Sequence, residues 1–257
     1  MSKVRIATIS YINSTPFVYG IRHAANELSV DLLLHTPSKC VDSLRNGECD
    51  IAIVPVAVVP TLKDCKIISN YCISATNDVR TVVLVSNTPI NEVKKIYLDE
   101  DSRTSAQLVK ILARERWHIS PEWEQTDVRS ASKREIPEGE AYMLIGDKVF
   151  EHEGEYKYSY DLAREWHEMT SLPFVFAVWV ARDGISPRAV ENLNTSLEYG
   201  LKCIDETIRE NVHSIPYDTA KEYLTKNIEY TLTEDKRRAI ELFILKSESA
   251  EPSSGKL

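Results

Sequence analysis

The sequence predicts an α/β protein made of two lobes, and three observations support this expectation. Apolar segments of strand length alternate with segments of helical period near the start of the chain. A second strand–helix–strand pattern lies between two long apolar strands in the middle. The chain has 257 residues, close to the size at which one hydrophobic core stops growing and chains divide into smaller units. Such alternation is typical of parallel sheets that are covered by helices.

The first lobe is expected to open with three strands and two helices. The strands are predicted at residues 4–10, 30–35 and 50–54, and the third is almost wholly apolar, like a strand buried on both faces. The first helix is predicted from Pro16 to about residue 28. The second has Ser38 as its N-cap and ends near Arg45, before an Asn-Gly pair.

The second lobe is expected in the middle of the chain. Its pattern predicts strands at 79–86, 95–98, 141–145 and 174–181, and helices at about 102–117 and 160–169. Beyond Ser186 the pattern is helical, over 189–209, 217–227 and 234–246. The predicted division is therefore 1–80 plus 178–257 for one lobe and 81–177 for the other, with a disordered tail at 248–257. Strands 79–86 and 174–181 would cross between the lobes as a hinge, with a ligand cleft between them.

The composition of the chain indicates which kinds of partner and which cellular location to expect. The formal net charge of −8 argues against a nucleic-acid backbone as the main partner, because phosphates attract clustered Lys and Arg. The sequence shows no apolar run of the roughly 20 residues that a membrane span needs. The chain opens without a basic segment followed by an apolar one, and its five cysteines are an odd number without a close pair. We expect reduced thiols, a cytoplasmic location and a small-molecule partner; the sequence leaves the oligomeric state unknown.

Three polar segments are candidates for binding. Asn13 follows the first strand and offers an amide donor and acceptor, although Asn13 or Thr15 could instead cap the next helix. The segment 101–105 supplies three hydroxyls at a helix start, which suits a carboxylate or a phosphate, or alternatively ordinary capping. Gly146 and Asp147 end a buried strand, where the glycine would admit a ligand or Asp147 would cap a helix.

Motifs for the common catalytic mechanisms are missing from the sequence. It contains no G-x-S-x-G elbow, no G-x-x-x-x-G-K phosphate loop and no G-x-G-x-x-G fingerprint. The six histidines show no metal-ligand spacing, and His152 between two glutamates fits a solvated loop better than a metal site. We therefore expect neither a metal nor a cofactor.

Taken in order, several motifs resemble those of the chorismate dehydratase family, whose members act first in the futalosine route to menaquinone. In the first lobe these motifs are Tyr11-Ile12-Asn13-Ser14-Thr15-Pro16 and residues 47–56. In the second they are residues 79–86, 102–105 and 144–147. The most specific are Tyr160-Asp161-Leu162 and residues 172–179. The sequence departs from the family at Thr81, where Ser is frequent, and at Met169 and Ser171, where Trp and Gly are common.

The resemblance implies the two-lobed fold of periplasmic solute-binding proteins, of the type with two crossing strands. It also implies removal of water from chorismate to give 3-[(1-carboxyvinyl)oxy]benzoate. Our own hypothesis is that the substrate's side-chain carboxylate takes the proton, with Asp147 as the alternative base. The residues that the resemblance implies are Asn13 and Thr81 for catalysis, and for substrate binding Tyr11, Val56, Ser102, Arg103, Thr104, Ser105, Gly146 and Asp147. The alternatives are the sister enzyme of the pathway, 1,4-dihydroxy-6-naphthoate synthase, and a solute-binding protein without chemistry.

Overall fold

The chain forms two compact units that each contain one β-sheet. The computed structural model describes residues 3–24, 29–99, 103–126 and 136–249. The described residues within 1–74 and 175–233 form the first unit, and those within 75–174 and 234–257 form the second. The chain therefore passes from the first unit to the second after Ser74 and returns at Val175.

The first unit is built on a mixed sheet. Its strands, in the order in which they lie side by side, are β11 (Glu229–Thr231), β4 (Cys65–Ala75), β10 (Phe174–Arg182), β3 (Ile51–Pro55), β1 (Val4–Ile9) and β2 (Val30–His35). β1 pairs in parallel with both β2 and β3, whereas β10 is antiparallel to β3. Every residue of β3 is buried, which agrees with its apolar sequence and its place inside the sheet.

Five described helices pack in the first unit: α1 (Thr15–His23), α2 (Pro37–Arg45), α5 (Pro187–Lys202), α6 (Ile204–Asn211) and α7 (Tyr217–Glu222). Two glycines bring α1 and α5 unusually close together. A Cβ atom at Gly20 would overlap the Ser196 carbonyl, and one at Gly200 would overlap the Pro16 carbonyl. The two backbones can touch only because neither position carries a side chain.

The second unit contains a mixed sheet and three described helices. Its strands lie in the order β7 (Glu122–Thr126), β6 (Lys95–Asp99), β8 (Glu140–Ile145), β5 (Val82–Ser86) and β9 (Tyr158–Asp161). The helices are α3 (Arg103–Glu115), α4 (Leu162–Thr170) and α8 (Glu234–Glu248). Phe243 of α8 packs edge-to-face on Phe174 with ring centroids 5.2 Å apart, and Lys246 pairs with Glu115 of α3. These contacts place α8 in the second unit.

The structure differs from the sequence expectations at several points. The C-terminal helix was expected in the first lobe, and the passages between units were expected at residues 80/81 and 177/178. Strands β4, β7, β9 and β11 were not predicted. β5 begins at Val82 rather than at residue 79, because Arg80 adopts a left-handed conformation with φ of 62° that interrupts a strand. The N-cap of α2 is Thr36, whose hydroxyl accepts the Lys39 N–H over 3.4 Å, and not Ser38.

Two further expectations concern the C-terminal tail and membrane-spanning helices. The tail predicted at 248–257 lies outside it from residue 250 onward, and Glu248 is the last residue of α8. None of the described helices is both long and apolar enough to cross a membrane.

Candidate functional site

The carboxyl edge of the first sheet carries three of the expected site residues. β1 and β3 run parallel, with Ile6 opposite Ile51, so their carboxyl ends meet at the same edge. Tyr11 and Asn13 follow β1 there, and Val56 follows β3. Tyr11 and Asn13 are half-buried, whereas Val56 is completely buried. Tyr11 and Asn13 thus keep accessible surface at this edge, and Val56 belongs to the core beneath it.

Asn13 is presented by a short 3-10 helix, Ile12–Ser14. The Thr15 hydroxyl donates to the Ile12 carbonyl over 2.7 Å, and the Ser14 hydroxyl donates to the Asn13 amide oxygen over 3.2 Å. The N-cap residue of α1 is Ser14, whose side chain makes no capping hydrogen bond, so neither Asn13 nor Thr15 occupies the cap position. Among the residues that the structure describes, the Asn13 amide nitrogen has no hydrogen-bond partner and can donate to a ligand.

A buried tyrosine supports Asn13 from below. The Tyr230 hydroxyl on β11 donates to the Asn13 carbonyl over 3.1 Å, and its ring packs on Phe17 with centroids 5.2 Å apart. Burial raises the pKa of Tyr230 well above its usual value, so the hydroxyl stays a donor at any physiological pH. No local sequence pattern indicates this contact, because 217 positions separate the two residues.

One edge of the second sheet brings together residues that are far apart in sequence. Val82 of β5 lies opposite Ile145 of the antiparallel β8, so the start of β5 meets the end of β8. Thr81 therefore lies beside Gly146, whose N–H donates to the Thr81 carbonyl over 2.9 Å. Thr81 is 1% exposed, and Asp147 next to Gly146 is half-buried. The structure thus joins three of the expected residues, Thr81, Gly146 and Asp147.

The start of α3 belongs to the same edge of the second sheet. β6 is parallel to β8, with Tyr97 opposite Tyr142, and α3 begins at Arg103 shortly after β6 ends. Arg103 is exposed, whereas Thr104 and Ser105 are each 2% exposed. Ser102, expected in this group, lies outside the described residues. The described part of the motif consequently offers two buried hydroxyls in the first turn of a helix.

Gly146 has a conformation that other residues rarely adopt. Its φ is 75° and its ψ is −166°, a region that is essentially restricted to glycine. Asp147 begins a 3-10 helix, Asp147–His152, and the N-cap position of that helix is Gly146, without a side-chain cap. The alternative in which Asp147 caps this helix is therefore wrong. The turn at Gly146 instead sets the direction in which Asp147 leaves the sheet.

A lysine that no sequence motif indicates, Lys148, also lies at this edge. The Lys148 ammonium is 2.6 Å from the Asp99 carboxylate, and the two side chains are 22% and 8% exposed. Asp99 ends β6 and Lys148 follows β8, so the pair joins the carboxyl ends of two neighbouring strands. An ammonium has three donors, and Asp99 occupies one of them. Among the described residues Asp99 is the hydrogen-bond partner of Lys148, so Lys148 is held at this edge and could also donate to a ligand carboxylate.

A cavity of about 400 Å³ lies within the second unit. Its walls include Val83, Val85 and Leu144 of the sheet, together with Arg80 and Asp161. The Arg80 guanidinium forms two hydrogen bonds of 3.0 Å with the Glu153 carboxylate and lies 5.2 Å from the Phe150 ring centroid. Burial raises the pKa of Asp161 to about 6, although backbone N–H groups, first that of Arg80, act to lower it.

The described residues provide no metal centre, and two of the thiols are unreactive because they are buried. Among them, no group of three or more His, Cys, Asp or Glu side chains could hold a metal ion. All five cysteines are free thiols. Burial raises the pKa of Cys40 to about 12 and that of Cys49 to about 11, which keeps both protonated and unreactive.

Solved structures with the same fold cover nearly the whole chain. Protein AF1704 from Archaeoglobus fulgidus is 15% identical with a TM-score of 0.78, over 96% of this chain and 97% of its own. The Candida albicans CA3427 product, described as having the generic periplasmic binding protein fold, is 14% identical with a TM-score of 0.66, over 97% and 95%. The alkanesulfonate-binding protein SsuA of Xanthomonas axonopodis pv. citri, bound to MOPS, is 14% identical with a TM-score of 0.64, over 96% and 93%.

These similarities confirm the predicted fold class, a two-lobed α/β fold of the periplasmic-binding-protein type with two mixed sheets. Identities this low establish the fold and leave function to other evidence. That evidence is a sequence-profile match over residues 4–248, nearly the whole chain, to the family described as Menaquinone biosynthesis. The chain therefore belongs to the menaquinone biosynthesis family and is an enzyme of that pathway.

Proposed function

We propose that this enzyme is a chorismate dehydratase that converts chorismate into 3-[(1-carboxyvinyl)oxy]benzoate and water. A proton leaves the ring carbon that bears the enolpyruvyl ether, and the C–H electron pair becomes part of a new ring double bond. The C–O bond to the neighbouring hydroxyl breaks, and this hydroxyl leaves as water together with the proton. The ring becomes aromatic, so the reaction is strongly downhill and the enzyme mainly has to position the reacting groups.

The observation that carries this proposal is the chemistry of the two sheet edges. Asn13 offers an amide at one edge, and Thr81 lies beside Gly146 and Asp147 at the other. Asp147 is the one carboxylate among the expected site residues, and none of these residues is a histidine. Such a set suits a reaction in which the protein orients the substrate and hydrogen-bonds the reacting groups.

In this proposal the side-chain carboxylate of the substrate takes the proton. Asn13 and Thr81 hydrogen-bond the reacting groups and hold the carboxylate close to the ring hydrogen that it removes. Tyr230 keeps Asn13 in place through its carbonyl, while the Ser14 bond orients the amide. Asp147 as the general base is the competing version, and substitution of that residue separates the two.

The second unit supplies groups for a substrate with two carboxylates. The start of α3, with Thr104 and Ser105, would bind one of them through backbone N–H groups and hydroxyls. Lys148 lies at the same edge and would add a charged donor. The cavity that reaches Arg80, the residue before Thr81, is lined mostly by charged and polar residues, so we do not place the dicarboxylate substrate in it. The five free thiols suit a reducing compartment and support a cytoplasmic location.

The experiment that tests this function is incubation of the purified enzyme with chorismate, followed by mass spectrometry. We expect a product lighter than chorismate by one water with the wild type and little product with Asn13→Ala. Binding of chorismate without product, seen as a raised melting temperature, would contradict the proposal and favour a non-catalytic binding protein. Neither product nor binding would also contradict it, and would favour the sister enzyme that makes 1,4-dihydroxy-6-naphthoate.

A further inference from the structure

Asp161 joins two elements of the second unit through the two oxygens of one carboxylate. Its Oδ1 atom accepts the N–H groups of Ala163 and Arg164, over 3.0 and 3.2 Å, and so caps helix α4. Its Oδ2 atom accepts the Arg80 N–H over 2.7 Å. The second bond reaches across 81 positions to the residue directly before Thr81.

Arg80 needs such support because of its backbone conformation. Its φ of 62° lies in the left-handed region, which is unfavourable for a residue with a long side chain. The Asp161 carboxylate holds the backbone of this turn, and the bidentate bond to Glu153 holds the guanidinium. A strained backbone conformation of this kind is kept only where several surrounding contacts hold it, and such conformations are frequent at functional sites.

The conformation of Arg80 decides how the next residue is presented. Thr81 follows the turn directly and is fixed on its other side by the Gly146 N–H, which binds its carbonyl. We propose that Asp161 is a positioning residue, which fixes the Arg80 turn and thereby sets the position of Thr81, whose hydroxyl donates to the Val79 carbonyl over 3.4 Å, relative to the substrate. This inference rests on the proposed function, because it assumes that Thr81 contacts the reacting groups.

The substitution Asp161→Asn separates the two tasks of the side chain. Asparagine is a good N-cap, and its one oxygen can still accept the Ala163 and Arg164 N–H groups. Its amide nitrogen then faces the Arg80 N–H, so that two donors meet and the bond to the turn is lost. The matched control is Ser186→Ala, which removes the side-chain cap of α5 in the first unit, a 3.2 Å bond to the Ala189 N–H, away from Thr81.

Two measurements on the full-length enzyme test the inference. In hydrogen–deuterium exchange, Asp161→Asn should speed exchange at Arg80, Thr81 and Val82 about tenfold, the effect of one lost hydrogen bond, while α4 changes little. In steady-state assays with chorismate, kcat should fall about 10²-fold with little change in KM, as expected when a reacting group is slightly misplaced. Ser186→Ala should lower the melting temperature without either effect.

The possible outcomes are distinct. Unchanged exchange at the Arg80 turn would overturn the inference whatever the activity. Faster exchange with a kcat equal to that of Ser186→Ala would overturn it as well, because the turn would then not serve catalysis. If the wild type made no product from chorismate, the proposed function would fail, while the exchange result would still decide whether Asp161 holds the turn.

Discussion

The role of the Asn13 amide in catalysis can be separated from its effect on stability. The control is a substitution of Ser14, which removes the same hydrogen bond and leaves the amide in place. The Ser14 hydroxyl donates to the Asn13 amide oxygen over 3.2 Å. Asn13→Ala deletes this bond together with the amide, whereas Ser14→Ala deletes the bond and keeps the amide. Neither side chain caps α1, so the helix start should survive both changes.

The expected magnitudes differ between stability and catalysis. Each variant loses one neutral hydrogen bond, which is worth about 0.5–1.5 kcal/mol of unfolding free energy. Asn13→Ala also removes a donor that in our proposal stabilises the reacting groups, and loss of one such donor costs about 10²–10³ in kcat. Ser14→Ala leaves the amide in place with less restraint, so its kcat should fall by about tenfold at most.

The assay is conversion of chorismate by both variants and the wild type, with urea unfolding measured on the same samples. We expect similar unfolding free energies for the two variants and a kcat at least about tenfold lower for Asn13→Ala than for Ser14→Ala. Equal kcat values would refute the reasoning, because the amide would then act only through the hydrogen bond that both variants lack.

Three further predictions concern the second unit. Asp147→Asn should reduce kcat by less than about 10²-fold, since the substrate provides the base; a loss near 10⁴-fold in turnover assays would favour Asp147 as the base instead. Gly146→Ala should lower the free energy of unfolding by about 1–3 kcal/mol, because alanine is strained at a φ of 75°. An unchanged midpoint of urea unfolding would contradict this prediction. The pKa of Asp161, about 6 in the fold against 3.8 for a free side chain, predicts a pH-dependent stability difference from Asp161→Asn. The folded state binds this proton more tightly than the unfolded state, so protonation of Asp161 stabilises the fold. This stabilisation, up to about 3 kcal/mol of unfolding free energy, is fully present below about pH 4 and is lost as the pH rises through 6. Urea unfolding of both proteins between pH 4.5 and 7.5 measures the difference, and a constant difference would show that Asp161 does not titrate there. The charged groups that face Asp161 or line its cavity are Asp78, Arg80, His152, Glu153, Arg164, Glu165 and Glu168.

The sequence was sufficient for elements with a strong local pattern. β2 has the predicted bounds, residues 30–35, and β3 differs from its prediction by one residue at each end. β4, with eleven residues, was missed, because Lys66, Ser69 and Asn70 interrupt its apolar residues. The helix predicted at 160–169 includes the last two residues of β9, because a strand of four residues directly before a helix has no clear period of its own.

The candidate site shows the same limit of local information. Thr81 and Gly146 could each be predicted as a site residue from the sequence, because each lies next to an apolar strand. The supporting contacts depend on pairs that are distant in sequence: Tyr230 with Asn13, Lys148 with Asp99, and Asp161 with Arg80. No spacing rule links such residues, and each pair is formed only when the sheet brings its strands together.

The most direct measurement of the proposed reaction is a proton NMR time course of chorismate with the wild-type enzyme. We predict that the ring alkene signals disappear while four aromatic protons of a meta-substituted benzoate appear, and that the enolpyruvyl methylene signals remain. Free pyruvate with loss of those methylene signals would show that the ether bond is cleaved, and an unchanged chorismate spectrum would show that no reaction occurs. Either result would contradict the assignment of this enzyme as a chorismate dehydratase.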